Sequence, residues 1–211
     1  MNKLQMTVHV DPLTESNCYI LSEKDRCVII DPGDSRGLFR ILEQEQLEPE
    51  LILLTHEHCD HMAGLDALRE KYPQARFPAT ALCDAGIQNA RLNMSRVMGI
   101  YLHFRGKPGL HYEPFVCRKA DETIPEDAVL QWRGHTLRLV PLPGRTPGSA
   151  GISLDESTFF CGDYLIQEEE PILRFPGGDE EAYRQITEPF LARLPEGILI
   201  CPGHREKYIR N

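Results

Sequence analysis

Short apolar runs rich in β-branched and aromatic residues alternate with turn residues along the first part of the chain, then give way to helical spacing. TVHV, CYIL and CVII predict strands at about 4–10, 17–21 and 26–31, separated by turn or charged residues. From Ser35 to Gln46, Leu38, Phe39, Ile41 and Leu42 recur at helical spacing, with Leu47 just beyond and Pro49 expected to close the helix. LILLT at 51–55 is almost wholly apolar, the pattern of a strand covered on both faces, and it runs straight into HEHCDH.

A helix is predicted from Met62 to Tyr72, ended by Pro73, then a strand near 75–79 and a short helix at 80–90. Residues 91–114 have no clean period and suit a loop or helical excursion over a site. Strands return at 128–132 and 136–142 across Arg133-Gly134, and at 150–154 and 158–161 across Asp155-Glu156. An irregular stretch at 164–178 precedes a helix at about 179–193 and a last strand, GILIC, at 197–201, which ends in PGH. Each half ends a strand in a histidine-bearing turn. The order predicts an α/β fold of two similar halves packed as one domain over residues 1–211.

Composition narrows the class. A chain of 211 residues can bury one sizeable core, and 41% hydrophobic with 26% charged residues excludes a disordered or fibrous protein. The net charge of -9 argues against nucleic acid as a partner, because phosphate binding rests on clustered Lys and Arg. MNKLQMTVHVDP has no apolar run after its lysine, and CVII and LILL are too short to span a bilayer, so neither a leader nor a membrane anchor is expected. Seven cysteines (Cys18, Cys27, Cys59, Cys83, Cys117, Cys161 and Cys201) form an odd set without C-x-x-C spacing. They predict reduced, core-filling thiols and a cytoplasmic protein.

The chemistry concentrates in one hexapeptide. His56, His58, Asp60 and His61 lie within six residues at the end of a buried strand. Imidazole and carboxylate are ordinary ligands for zinc, iron or manganese, and catalytic sites keep one position open for water. A tight turn can aim alternating side chains at two points, so the run can serve two adjacent metals. Asp163 and His204 are weaker signals taken alone, since one is equally a turn or cap residue and the other equally a surface histidine. Both gain force by following apolar strands, FFCGD and ILICPGH.

THEHCDHMAG resembles the HxHxDHxxG signature of the metallo-β-lactamase superfamily, and more closely its glyoxalase II-like branch. Asp31-Pro32-Gly33, Cys161-Gly162-Asp163 and Pro202-Gly203-His204 resemble further family motifs, so the likeness covers nearly the whole chain. It implies an αββα sandwich, two β-sheets flanked by helices. It also implies that His56 and His58 hold a first metal, that Asp60, His61 and His204 hold a second, and that Asp163 bridges both. The implied activity is hydrolysis of an ester, thioester or similar bond in a small molecule by a metal-bound hydroxide, with Asp60 as the catalytic residue that orients the water. Zinc is the expected metal, with iron or manganese as alternatives.

One position departs from the pattern. In the turn PGRTPGS the family usually carries histidine where this chain has Arg145. Guanidinium stays protonated and has no lone pair for a metal. One secure metal held by Asp60, His61, Asp163 and His204 is therefore expected, with the first site empty or weak. If Arg145 turns outward, a water, His103 or His111 can complete the first site. An inward Arg145 can also bind a carboxylate or phosphate, which predicts an anionic substrate, whereas a solvated turn arginine has no such role. Tyr164, next to Asp163, is expected to face the cleft and bind substrate. RLNMS at 91–95 is expected to border the site as a lid, and Cys59 to be a packed thiol rather than a nucleophile. The alternative to an enzyme is a non-catalytic metal- or ligand-binding relative with a degraded first site.

Overall fold

Period-two alternation in the first strands builds two faces at once. β1 (Gln5–Val10), β2 (Asn17–Glu23) and β3 (Arg26–Ile30) form an antiparallel meander. Helix α1 (Ser35–Gln44) then carries the chain over to β4 (Glu48–Leu53), which pairs parallel to β3 and completes a sheet of order β1-β2-β3-β4. Cys18, Ile20, Cys27 and Ile29 point to one face, where they pack with Leu38 and Leu42 of α1. Tyr19, Leu21, Val28 and Ile30 point to the other, where they meet Leu137, Leu139, Ile152, Leu154 and Phe160 of a second sheet. The computed structural model describes residues 3–211, so Met1 and Asn2, at the head of the stretch read for a leader, lie outside the described residues.

Between the two sheets the chain runs through α2 (Cys59–Met62), α3 (Leu65–Lys71), β5 (Pro78–Thr80), α4 (Ala81–Ile87), α5 (Met98–Phe104) and β6 (Glu122–Ile124). The second sheet is built from β7 (Val129–Trp132), β8 (His135–Pro141), β9 (Ala150–Leu154), β10 (Thr158–Gly162), β11 (Leu199–Pro202) and β12 (Tyr208–Ile209), in the order β12-β11-β10-β9-β8-β7. Its outer face, including Phe159, Cys161 and Ile200, is covered by a helical segment through Leu191 and Phe190. Two sheets sharing one apolar layer, with a helical layer on each outer face, make the αββα sandwich. All seven cysteines are free and buried. No helix among the described residues is long and apolar enough to cross a membrane.

Several boundaries differ from those read in the sequence. α1 ends at Gln44, and the chain leaves it through Gln46 in a left-handed conformation, φ 53°. Pro49 does not close the helix. It lies within β4 opposite Cys27, where the register with β3 shifts, a place that tolerates a residue without an N–H. The helix expected over 62–72 is split into α2 and α3, and the strand expected near 75–79 shortens to β5, which pairs with the unpredicted β6. The helix expected at 179–193 is three pieces: α6 (Glu180–Ala182), a π-helical turn (Tyr183–Thr187) and α7 (Glu188–Ala192). Pro189 near the start of α7 lacks the N–H that a regular i→i−4 bond needs there, and the turn before it widens. The hairpin turns match their sequence cues: Arg133-Gly134 and Asp155-Glu156 adopt positive φ at both central residues.

The ends of β4, β10 and β11 and the turn after β8 converge at one edge of the sandwich. The Ala150 N–H donates to the Thr55 carbonyl at 2.7 Å, and the Asn17 N–H to the Gly203 carbonyl at 2.7 Å. These bonds tie the loops of the two sheets into a common rim.

Candidate metal centre

The rim gathers polar side chains that the apolar strands deliver into a buried place. After β4, the chain turns at Thr55 and His56, and α2 starts with its Cys59 N–H donating to the Asn93 carbonyl at 2.8 Å. RLNMS is therefore a brace under α2, and its Asn93 and Ser95 are wholly buried, with Asn93 Nδ2 and Ser95 Oγ both donating to the Phe115 carbonyl. Met94 of the same stretch packs on Cys59 together with Met98 and Leu102, and burial pushes that thiol well above its ordinary pKa. That thiol is a packing group.

The imidazole orientations are fixed from behind. Asp31, at the end of β3 with φ 56°, accepts from the Thr55 N–H at 2.7 Å and from Thr55 Oγ1 at 2.6 Å, and its Oδ2 lies 3.2 Å from His61 Nδ1. Thr55 Oγ1, having given its proton to Asp31, can accept from His56 Nδ1 at 3.1 Å. His204 Nδ1 is 3.0 Å from the Glu15 carbonyl, which can only accept. With Nδ1 of each ring committed to a backing group, the three Nε2 atoms are left to face the site, the usual arrangement behind a metal-binding histidine. Asp31→Ala is expected to weaken metal binding by about 10–100-fold while leaving all ligands in place. A chelator competition measures it, and an unchanged affinity would show that Asp31 does not orient His61.

The front of the site has a regular geometry. His61 Nε2 is 3.2 Å from Asp163 Oδ1 and 3.8 Å from Asp60 Oδ2, and His204 Nε2 is 3.4 Å from Asp60 Oδ2 and 3.6 Å from Asp163 Oδ1. Four ligands on a tetrahedral ion of metal–ligand distance near 2.1 Å stand about 3.3–3.6 Å apart. Those four edges lie near that spacing, with Asp60, His61 and His204 close enough together to share one ion and Asp163 beside them. His61 Nε2 and Asp163 Oδ1 are buried without a hydrogen-bond partner among the described residues, and so are the Nε2 atoms of His56 and His58. Buried polar atoms left in this state call for an unseen partner, and this donor set fits a divalent metal.

The charges agree. Burial raises the Asp163 pKa, but Arg145 and His61 outweigh it and hold the carboxyl well below its ordinary value. Burial acts likewise on Asp60, and His61 and His204 overcome it, so Asp60 too is held low. Burial disfavours a proton on His61, yet Asp60 and Asp163 outweigh burial and raise its pKa, so a metal entering the ring must displace that proton. On the other side, burial drives His56 well below its ordinary value, and burial followed by Arg145 brings His58 down to about 3. Both rings are neutral.

Arg145 points inward. It is 6% exposed; one terminal nitrogen, Nη2, pairs with Asp163 Oδ2, and the other, Nη1, donates to the Ile172 carbonyl at 2.9 Å. Its guanidinium lies 5.0 Å from the centre of the Phe175 ring, and its Nε has no partner among the described residues. His56 Nε2 is 3.7 Å from the same Asp163 Oδ2. The residues that can share one ion fall into two groups, His56 with His61 and Asp163, and Asp60 with His61 and His204. His58 joins neither. His103 and His111 lie at the surface, the first against Phe104 and the second paired with Glu113, away from the cluster.

Tyr164 does not face the cleft. It is buried, its hydroxyl accepts from the Arg145 N–H at 2.7 Å and donates to the Leu142 carbonyl at 2.8 Å, so it holds the Arg145 turn rather than a substrate. Glu57 also belongs to the site's surroundings. This wholly buried carboxyl accepts from Thr146 Oγ1 at 2.6 Å and from the Gly148 N–H at 3.3 Å, joining HEHCDH to PGRTPGS, and burial pushes its pKa up to about 7. Its only signal in the sequence was a glutamate inside the histidine run, where nothing marks burial.

Residues 11–204 match the family described as the metallo-beta-lactamase superfamily. The chain belongs to that superfamily. Among superfamily relatives, it is 28% identical over 199 residues to a hydroxyacylglutathione hydrolase of Klebsiella pneumoniae, covering 93% of this chain and 64% of the relative. It is 28% identical over 196 residues to the probable metallo-hydrolase YqgX of Bacillus subtilis, covering 90% of this chain and 85% of that protein. The chain thus spans less than two thirds of the length of the first of these. Among solved superfamily structures, the BLEG-1 B3 metallo-beta-lactamase is similar with a TM-score of 0.80 at 26% identity, covering 98% of this chain and 94% of that one. A protein solved in a di-iron-bound form, TTHA1623, is similar with a TM-score of 0.74 at 25% identity, covering 97% and 94%. These relatives place the chain on the glyoxalase II-like side of a superfamily of metal-dependent hydrolases.

Proposed function

We propose that the chain is a hydrolase of small-molecule thioesters or related esters, working with one divalent metal held by Asp60, His61, Asp163 and His204. The ring of 3.2–3.8 Å separations around the unpartnered His61 Nε2 and Asp163 Oδ1 is the observation that carries this reading. A metal in such a ring lowers the pKa of a coordinated water toward neutrality and polarises a substrate oxygen. Zinc fits the two-imidazole, two-carboxylate set, and iron and manganese accept the same ligands.

The chain's own residues supply orientation. His204, 20% exposed, marks the open side of the ring, and the Asp60 carboxylate beside it is placed to orient an attacking water. The rings of Tyr101 and Phe175, 5.8 Å apart, wall the neighbouring side with Phe175 against His58, a surface suited to an acyl chain. Arg145 has both terminal nitrogens engaged, so a two-pronged grip on a substrate anion is open to it only if the Asp163 pair breaks. The likeness to hydroxyacylglutathione hydrolases supports thioesters as the first class to try, and the seven free, buried thiols support a reducing, cytoplasmic setting.

Protein reconstituted separately with zinc, iron and manganese is expected to hydrolyse a hydroxyacylglutathione or a simpler thioester, and Asp60→Ala to lose that activity. Hydrolysis that survives Asp60→Ala rules the mechanism out. The Arg145 pair on Asp163 favours one competing reading, a metal-binding relative without catalysis, and metal uptake without turnover of any thioester, lactone or ester would select it.

A further inference from the structure

We propose that the Arg145 guanidinium takes the place of a first metal ion, so that this chain has a one-metal centre with a built-in organic cation. The inference rests on the reading that the ring of Asp60, His61, Asp163 and His204 holds a metal. The two Asp163 oxygens differ: Oδ2 is taken by Arg145, while Oδ1 is buried without a hydrogen-bond partner among the described residues and faces His61 and His204. The same Oδ2 has His56 Nε2 at 3.7 Å and the guanidinium as near neighbours, so an ion drawn to His56 and Asp163 would compete with Arg145 for it.

The cation is built in rather than stray. Its Nη1 is held by the Ile172 carbonyl, its face by the Phe175 ring, and its backbone N–H by the Tyr164 hydroxyl. Tyr164, Ile172 and Phe175 come from the irregular 164–178 stretch after β10, and Arg145 from the turn after β8, so two separate segments are shaped around one side chain. The next residue of the turn is fixed as well, through Thr146 Oγ1 to Glu57. The positive charge that the guanidinium sets against Asp163 Oδ2 does not depend on metal supply. The Nε2 atoms of His56 and His58 stay buried without a hydrogen-bond partner among the described residues.

The test counts ions. Metal-stripped full-length protein is titrated with Co(II), following absorbance, and metal content after zinc loading and desalting is measured by mass spectrometry. The wild type is expected to saturate at one ion per chain, and Arg145→His at two, with the circular dichroism spectrum unchanged. Two ions of similar affinity on the wild type overturn the proposal, whether or not the variant folds, and leave the hydrolase reading intact. An Arg145→His protein that folds normally and still binds one ion also overturns it. No bound ion on the wild type removes both readings, whereas one bound ion without hydrolysis leaves the one-metal centre standing and removes the hydrolase.

Discussion

Asp163→Ala is expected to destabilise the metal-free protein by about 3–5 kcal/mol, the cost of leaving a buried cation without its partner. Arg145 is 6% exposed and its Nε already lacks an acceptor, so losing Oδ2 strands a guanidinium that can reach neither water nor another carboxylate without unmaking its turn. The reverse loss is milder. In Arg145→Met, Asp163 still has His61 and His204 at 3.2 and 3.6 Å to balance its charge. Combining the two substitutions is expected to recover most of the stability lost in Asp163→Ala, because replacing both members of a buried pair by apolar groups is close to neutral. Urea denaturation of the four metal-stripped proteins measures this as a double-mutant cycle. A loss below about 1 kcal/mol in Asp163→Ala would falsify the Arg145–Asp163 pair as a feature of the folded state, since that is the range of exposed pairs. The same variant lacks the Oδ1 that faces His61 and His204, so its metal content is expected to fall to background.

Gly203→Ala is expected to reduce turnover by about 10²-fold and to weaken metal binding, with the fold retained. A Cβ at this position would stand 2.6 Å from Asp163 Oδ1 and 2.6 Å from His61 Cε1, closer than such atoms approach, and 3.1 Å from the Gly162 carbonyl carbon. The backbone cannot retreat, because the Gly203 N–H donates to the Gly162 carbonyl at 2.7 Å and its own carbonyl accepts from Asn17 at 2.7 Å. The side chains must give way instead, and both belong to the ring. A displacement of about 1 Å in a reacting constellation is enough for a loss of that size. Metal affinity by chelator competition, kcat/KM on the best thioester, and a thermal melt separate the effects. Wild-type metal affinity in Gly203→Ala would mean that the ligands do not crowd this glycine.

Legibility differed sharply between the ligand residues and their surroundings. HxHxDH after an apolar strand was plain in the sequence because ligand chemistry resides in residue type and short spacing, and β4 and α2 keep those four residues local. Asp163 and His204 could be placed only by resemblance, since each is a single polar residue at a strand end. Asp31 was seen as part of a turn but not as the group behind His61; that role needs β3 and β4 side by side, with the Thr55 N–H as a third party. Tyr164 was misjudged for the same reason. Its neighbour in sequence faces the site, but the turn after Gly162 sends the phenol under the Arg145 loop.

The sequence by itself determined the alternation that yields two sheets with three apolar layers, the run of histidines and aspartates at the end of β4, and the presence of a cation where a third imidazole is usual. Those features are local, set by side-chain period and residue chemistry. Only the tertiary structure decided that Arg145 turns inward to Asp163, that the other Asp163 oxygen faces His61 and His204, and that His204 is oriented by the carbonyl of Glu15, 189 positions away. Turn direction and strand-end convergence are fixed by how two sheets pack on a shared core, and no local propensity records that packing.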